Sequence, residues 1–444
     1  MKTIHMKSIH KRTKSSKRMA TLLRLAQRGR AKLLSTFFPC PLPRAKEYDL
    51  PQGPSEKPTA QQQPPHGLCG EALVLASQLH GETFPLPNLW KVFSEWPLAA
   101  NQHAKRLEGL VNSLLERIIT NERKLKALKQ ADFARLISLW YPDADWPELE
   151  IATAYSVWIF VWDDEVDAGD TDVSNDEELA RAYYQKSLNT VRRLLDLDPS
   201  STITSTINEK IDHQLQKSTA TEVKEEELHI NMALFSDVGY GMRTATDIVQ
   251  RERFFRELEN FMVQVGVEHG HRMRGTIPSL EKYMEIRSGS VGCAPQIAIT
   301  DYMLKIRLPE SVMEGAAMKA LWKETVIICL ILNDIYSVQK EIAQGSLFNI
   351  VPVMYKNCLP EKQSLSTVSH EIEIALQESM KRFEEAAASL GQTASGDEHL
   401  GKDVQSFIKW CRYFITGVLQ WSLESRRYGM AECRHEDGSL SIVL

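Results

Sequence analysis

The sequence predicts an all-α protein, a single large helical bundle around an apolar cavity. Three observations point to this class. Apolar residues recur at spacings of three and four from about residue 102 to Tyr428, the period of helices with a buried face. Strand-type alternation persists over no useful length, and no internal repeat is visible. Two runs, Ile151–Trp162 and Val326–Leu332, are apolar nearly all round, which marks helices buried on every side. With 444 residues, 43% of them hydrophobic, the chain can bury a large core, as one big domain or two.

Taken in order, residues 1–46 hold thirteen Lys/Arg and no acid; taking these from the whole-chain charge of −5 leaves −18 on the remainder. A basic, Ser-containing, acid-free start has the composition of an organelle presequence, and a disordered extension or a start codon placed too early is the other reading. The acidic body argues against nucleic acid as a partner. Residues 39–66 are Pro/Gln-rich and are expected to be an unstructured linker. The expected division is therefore an extension and linker over 1–66, a helical domain over 67–434 and a tail over 435–444. Cytoplasmic location is expected, with import through the basic N-terminus as the alternative, and the oligomeric state is left as monomer or homodimer.

Helical periodicity begins with residues 104–140, and Pro142 and Pro147 close one segment and open the next. After the first apolar run comes a helical stretch over 178–197, then a Ser/Thr/Lys/Glu-rich surface insert over 196–228. Helical patterning returns over 251–275, 279–299, the second apolar run, 370–390 and 403–428. Seven scattered cysteines without CxxC spacing read as reduced thiols rather than a disulfide or zinc frame. No eighteen apolar residues run together, so no membrane insertion is expected. His269 and His271 are two apart, which on a helix diverges, and are read as incidental.

The first apolar run leads straight into Asp163, Asp164, Glu165 and Asp167. These acids fall near a helix C-terminus, where the macrodipole disfavours negative charge, so a positive group should compensate them. At about 100° per residue Asp163 and Asp167 share a face, Asp164 lies to one side and Glu165 points away. Two carboxylates aimed together at the mouth of an apolar wall can seat a hard divalent cation; a solvated acidic helix end is the plainer alternative. The second run leads into Asn333, Ser337 and Glu341, an oxygen-bearing stripe at i, i+4 and i+8, with Asp334 about 100° off it. Carboxylate, amide and hydroxyl oxygens make a second hard-cation site, and Lys340 on the same stripe suits a phosphate-bearing ligand.

Together DDEVD and NDIYSVQKE resemble the paired motifs of the class I terpene cyclases, most closely the fungal sesquiterpene synthase type, DDxxD/E and (N/D)Dxx(S/T)xxxE. The second match is complete. Tyr283-x-x-x-Arg287-x-x-x-x-Gly292 looks like the family's pyrophosphate-sensing arginine, and WSLESRRY places Arg427–Tyr428 as its C-terminal pair. Gly345–Met354 resembles one of its connecting segments. The likeness covers roughly residues 85 to 430 in motif order.

That resemblance implies Mg²⁺, three ions, held by Asp163, Asp167, Asn333, Ser337 and Glu341. Arg287, Lys340, Arg427 and Tyr428 would donate to the diphosphate of an isoprenyl substrate, farnesyl diphosphate by resemblance, cyclised to a sesquiterpene hydrocarbon or alcohol. In the family a helix break follows the sensing arginine, and Ser290 and Val291 occupy its linker and effector positions. Stepping back along the motif faces names the cavity wall: Phe160, Ile159, Ser156 and Ala152 from Asp163, and Leu330, Cys329 and Val326 from Asn333. Trp158 points away, into the core. Trp410, Phe414 and Trp421 form an aromatic stripe that is either core or a set of π faces for a carbocation, Trp421 first among them. A protonation-initiated cyclase would need DxDD, which is absent. Two other readings stay open, a chain-elongating prenyltransferase, which would need a second aspartate-rich cluster, and a catalytically silent helical binding protein.

Overall fold

Both apolar runs form the helices expected of them. The first lies in Trp146–Asp167, called here the aspartate helix, and the second in Ala316–Ala343, the triad helix. Every residue from Val326 to Leu332 is buried. Gly345, at φ +82° just past the triad helix, donates back to the Ile342 carbonyl, the left-handed termination for which glycine is favoured. The computed structural model describes residues 68–167, 171–197 and 231–444. The basic extension, the linker and nearly all of the expected 196–228 insert lie outside the described residues, as do Cys40 and the side chain of Asp167.

The described residues belong to one compact unit, Pro64–Leu444. The triad helix packs along Leu365–Thr393 and against Glu398–Glu424, which also packs on Phe133–Trp140. Ile248–Arg274 packs on Leu280–Ser290 and Cys293–Ala298, and Met232–Ala245 packs on the aspartate helix. Many of these helices start on a side-chain cap that accepts an otherwise orphaned N–H. Asp247 forms a capping box with Gln250, and Ser279, Ser364, Asn349 and Asp397 cap their own helices. Trp158 is core, fully buried with its ring edge-on to Phe235 at 4.7 Å. The six described cysteines are free thiols. Among the described residues no helix is long and apolar enough to cross a membrane.

Residues 435–444 differ from the expected tail. Leu440–Val443 forms β2, which pairs antiparallel with β1, Thr83–Leu86, in the register Phe84 opposite Ile442 and Leu86 opposite Leu440. Four residues are too few for a periodicity search to register. The inward-facing Phe84, Leu86, Leu440 and Ile442 are buried, and Gln339 Nε2 on the triad helix donates to the Val443 carbonyl at 2.9 Å. The C-terminus thus braces the outer end of the triad helix. Leu440→Ala is expected to cost about 2 kcal/mol, at the low end for a buried leucine because a two-stranded edge can settle around the lost volume. Unchanged urea unfolding would show β2 to be a passive tail.

Candidate active site

The acid cluster at the end of the aspartate helix is met by the positive charge its position calls for. Arg427 grips Asp164 with both arms of its guanidinium, Nη2 to Oδ1 at 2.8 Å and Nη1 to Oδ2 at 3.2 Å, and Lys340 Nζ lies 3.9 Å away. Burial works to raise the Asp164 carboxyl, but the Arg427 and Lys340 charges outweigh it and bring it down to about 2. Burial, with the Arg427 charge behind it, lowers Lys340. Asp163 lines the same cleft. Lys124 pairs with Glu165 at 3.5 Å on the outward side. Helical phase alone set Asp164 aside from the cleft; it lines the cleft, drawn in by the two cations.

Across the cleft stand Asn333, Ser337 and Glu341 from the triad helix, all in its lining. Asp334, off the stripe as expected, is fully buried and accepts from Tyr283 Oη, from Arg287 Nε at 3.0 Å and from the Ile350 N–H at 2.9 Å. Arg287 Nη2 reaches on to Asn333 Oδ1 at 2.7 Å, and Asn333 Nδ2 donates to Tyr428 Oη at 3.2 Å. Asn349 Nδ2 donates to Glu341 Oε2 at 2.9 Å and to the Asp334 carbonyl at 2.8 Å, which orients the last member of the stripe. Motif reading missed Asn349, though its place as the cap of the helix Ile350–Asn357 was a sequence signal within Gly345–Met354. It also missed Glu268, from the helix Ile248–Arg274, which lines the cleft.

Beneath this polar mouth the wall is largely apolar. Phe160 stacks on Phe133 at 4.6 Å, Ile159 and Cys329 face inward, and Phe414 and Trp421 come from Glu398–Glu424. Trp421 is fixed by its indole N–H, which donates to the carbonyls of Ala131 at 2.8 Å and Asp132 at 3.0 Å. The cleft holds about 1140 Å³ of atom-free space, its open mouth included.

Several expected wall residues lie outside the lining. Ser156 keeps the predicted face but sits below the floor, fully buried and accepting from Gln296 Nε2 at 3.3 Å, so that Gln296 lines the cleft in its place. Ala152, Leu330 and Val326 are likewise absent from the lining. Trp410, three turns below Trp421, is core, stacked on Phe414 at 5.0 Å and on Tyr141 at 5.9 Å. The periodic face gave direction correctly and depth wrongly, because a helix face continues past the end of the cavity it borders. The expected helix break is present: Leu280–Ser290 ends after Arg287, and Gly292 sits at φ +73°. His269 Nε2 lies 3.0 Å from the Ser174 carbonyl, and His271 Nδ1 2.8 Å from Thr276 Oγ1.

The donor set fits a hard cation. It consists of carboxylate, amide and hydroxyl oxygens on two facing helices, the ligands such ions prefer. Among the described residues no three His, Cys, Asp or Glu gather into a ready-made metal cluster. The oxygens are divided between the two rims, an arrangement suited to an ion that also needs ligands from a bound anion.

The model of terpene synthase family 2, C-terminal metal binding, matches residues 154–378 of this chain. The chain belongs to this family. It is a class I terpene synthase, a lyase, and the matched span takes in both motifs, Asp163–Asp167 and Asn333–Glu341, while leaving Trp421, Arg427 and Tyr428 beyond its end. The synthase is 25% identical over 373 residues to the sesquiterpene cyclase hepA of Aspergillus oryzae, covering 83% of this chain and 96% of that one. It is 22% identical to the silphinene synthase peniA of Penicillium patulum, covering 80% and 88%. Among solved structures, an α-eudesmol synthase superposes with TM-score 0.59 at 16% identity, covering 74% of this synthase and 97% of that chain. The linalool/nerolidol synthase of Streptomyces clavuligerus, solved with 2-fluorogeranyl diphosphate, gives 0.57 at 16% identity, covering 75% and 98%. These likenesses show the fold to be that of the class I terpenoid synthases.

Proposed function

We propose that this synthase ionises an isoprenyl diphosphate, farnesyl diphosphate in particular, and cyclises it to a sesquiterpene hydrocarbon or alcohol with release of diphosphate. One observation supports the reading above all. Hard oxygen donors on two helices and the cations Arg287, Lys340 and Arg427 share one cleft mouth above an apolar wall, which matches a substrate with an anionic head and a hydrocarbon tail. Asp163 on one rim, and Asn333, Ser337 and Glu341 on the other, would hold Mg²⁺, with Asp167 as a further ligand and three ions by resemblance to the family. Bound Mg²⁺ supplies stabilisation of the charge growing on the leaving diphosphate.

The protein's own groups do the rest. Arg427 and Lys340, held at the mouth by Asp164, offer donors to the departing oxygens, and Tyr428 and Arg287 approach from the Asn333 side. Fixed donors of this kind act where charge develops, without reorganising as it does so. The allylic cation left behind is enclosed by Phe160, Ile159, Phe414 and Trp421, whose packing excludes water and whose aromatic faces favour positive charge. Trp421 is pinned through its N–H, so its ring face keeps one orientation.

Incubation with C10, C15 and C20 diphosphates, with and without Mg²⁺, followed by mass spectrometry of the volatiles, tests the proposal. Metal-dependent diphosphate release with a cyclic C15 product is expected. Release from none of the three overturns it, and longer prenyl diphosphates on addition of isopentenyl diphosphate would make the protein a chain-elongating enzyme instead.

A further inference from the structure

Gln296 brings a polar side chain to the floor of a largely apolar wall. It is 2% exposed, borders the cleft and comes from the short helix Cys293–Ala298. Two buried hydroxyls that do not line the cleft hold its amide: Tyr141 Oη donates to Oε1 at 2.8 Å, and Nε2 donates to Ser156 Oγ at 3.3 Å. Burial pushes the Tyr141 phenol up, so that hydroxyl keeps its proton and stays a donor. Tyr141 is anchored in turn, its carbonyl accepting from Asn101 Nδ2 at 2.7 Å. The amide therefore has a fixed place.

A primary amide carries two N–H donors and two lone pairs. The two hydroxyls take one of each, which leaves one donor and one acceptor at the cavity. Trp140 adds another donor. It precedes Tyr141 in the chain and lines the cleft, and its buried indole N–H has no partner among the described residues. A hydrocarbon chain satisfies none of these groups, and a buried polar group left unmet is costly. Water satisfies them, since a buried water binds through about two to four such partners.

We propose that Gln296 is a specificity-determining residue that holds one water at the cleft floor, and that this water ends the cyclisation, making the product a terpene alcohol. The inference rests on the proposed cyclisation of farnesyl diphosphate and selects one of its two product classes. The aromatic wall keeps bulk water from the early cations. A single water tied to the floor meets only the cation formed against it. Its oxygen lone pair forms the C–O bond, and the oxonium ion so formed loses a proton that ends on the released diphosphate. Substrate plus water thus becomes alcohol plus protonated diphosphate.

Products formed from farnesyl diphosphate and Mg²⁺ in ¹⁸O-labelled water test this by mass spectrometry. The wild type is expected to give mainly a terpene alcohol carrying the label. Gln296→Met keeps the length of the side chain and removes its hydrogen-bonding groups. It is expected to lower the ratio of alcohol to hydrocarbon about tenfold, the scale of one lost hydrogen bond, while diphosphate release falls less. A residue that only rivets Tyr141 to Ser156 would lower both outputs together. Tyr141→Phe and Ser156→Ala each loosen the amide from one side without removing it, and each is expected to lower the same ratio by a smaller factor, so the test stands even where Gln296→Met does not fold. A wild type that releases diphosphate but yields only hydrocarbons, an alcohol without the label, or variants that keep the wild-type ratio would overturn this inference alone. A wild type that releases no diphosphate overturns it together with the proposed function.

Discussion

Asn333→Ala is expected to slow metal-dependent diphosphate release by about 10²–10³-fold, the scale for removing a preorganised group that acts on transition-state charge. The size follows from two roles at one position. Its Oδ1 is the proposed metal ligand and accepts Arg287 at 2.7 Å, while its Nδ2 holds Tyr428 Oη at 3.2 Å. Alanine deletes the ligand and unhooks two of the groups proposed to meet the leaving diphosphate. Asn333→Asp supplies the oxygen again but cannot donate to Tyr428, so it should recover much of the loss while remaining below wild type. Asn333 is part-exposed at the mouth, so its truncation opens no cavity in the core, and unfolding of the alanine variant should change little. Single-turnover release of diphosphate measures the effect, and a wild-type rate in Asn333→Ala removes this rim from the mechanism.

What the sequence made legible was direction along helices. The two apolar runs and their polar ends produced the helical class, and the stripe of Asn333, Ser337 and Glu341 lies along one side of one cleft, as its spacing predicts. Spacing within a helix says nothing about which other helix supplies a partner. That is why Glu268, 65 residues before Asn333 in the chain, and Asn349 were invisible as supports of Arg287 and Glu341. It is also why Asp164 was set aside on phase alone. Its position is decided by Arg427, 263 residues away, and a charge-assisted two-armed contact outweighs a modest mismatch in helical phase. Depth fails for a related reason. Ser156 and Trp410 lie on the correct faces, yet the floor is made by Gln296 from the short helix Cys293–Ala298, and nothing in the aspartate helix specifies how far up that segment reaches. The short pair of strands needed partners 358 residues apart, Phe84 and Ile442, to be recognised at all.

Asp164→Ala is expected to destabilise the fold by about 3–5 kcal/mol, because it leaves a buried guanidinium without its counterion. The side chains of Asp164 and Arg427 are 15% and 11% exposed, so solvent can relieve little of that cost. The pH dependence identifies the origin. The Asp164 carboxyl sits at about 2 in the folded protein against an ordinary 3.8, so the unfolded chain binds the proton more readily. A depressed carboxyl contributes stability that is fully present above about pH 4 and is lost as the pH falls through the folded value, a contribution of about 2 kcal/mol at neutrality. In urea unfolding the gap between wild type and Asp164→Asn should therefore be constant from pH 7 to about 5 and shrink below about 4. Asparagine keeps the shape and removes the titrating charge, so a gap that stays constant down to pH 2.5 would place the stabilisation in packing rather than in the ion pair. The same pair bears on catalysis. Asp164 holds Arg427 over the rings of Phe133 and Phe160, with Cζ 5.9 and 5.6 Å from their centroids, so the cation stands between the polar mouth and the aromatic wall. Released from Asp164, Arg427 loses that fixed position, and Asp164→Asn is expected to lose turnover as well as stability at neutral pH.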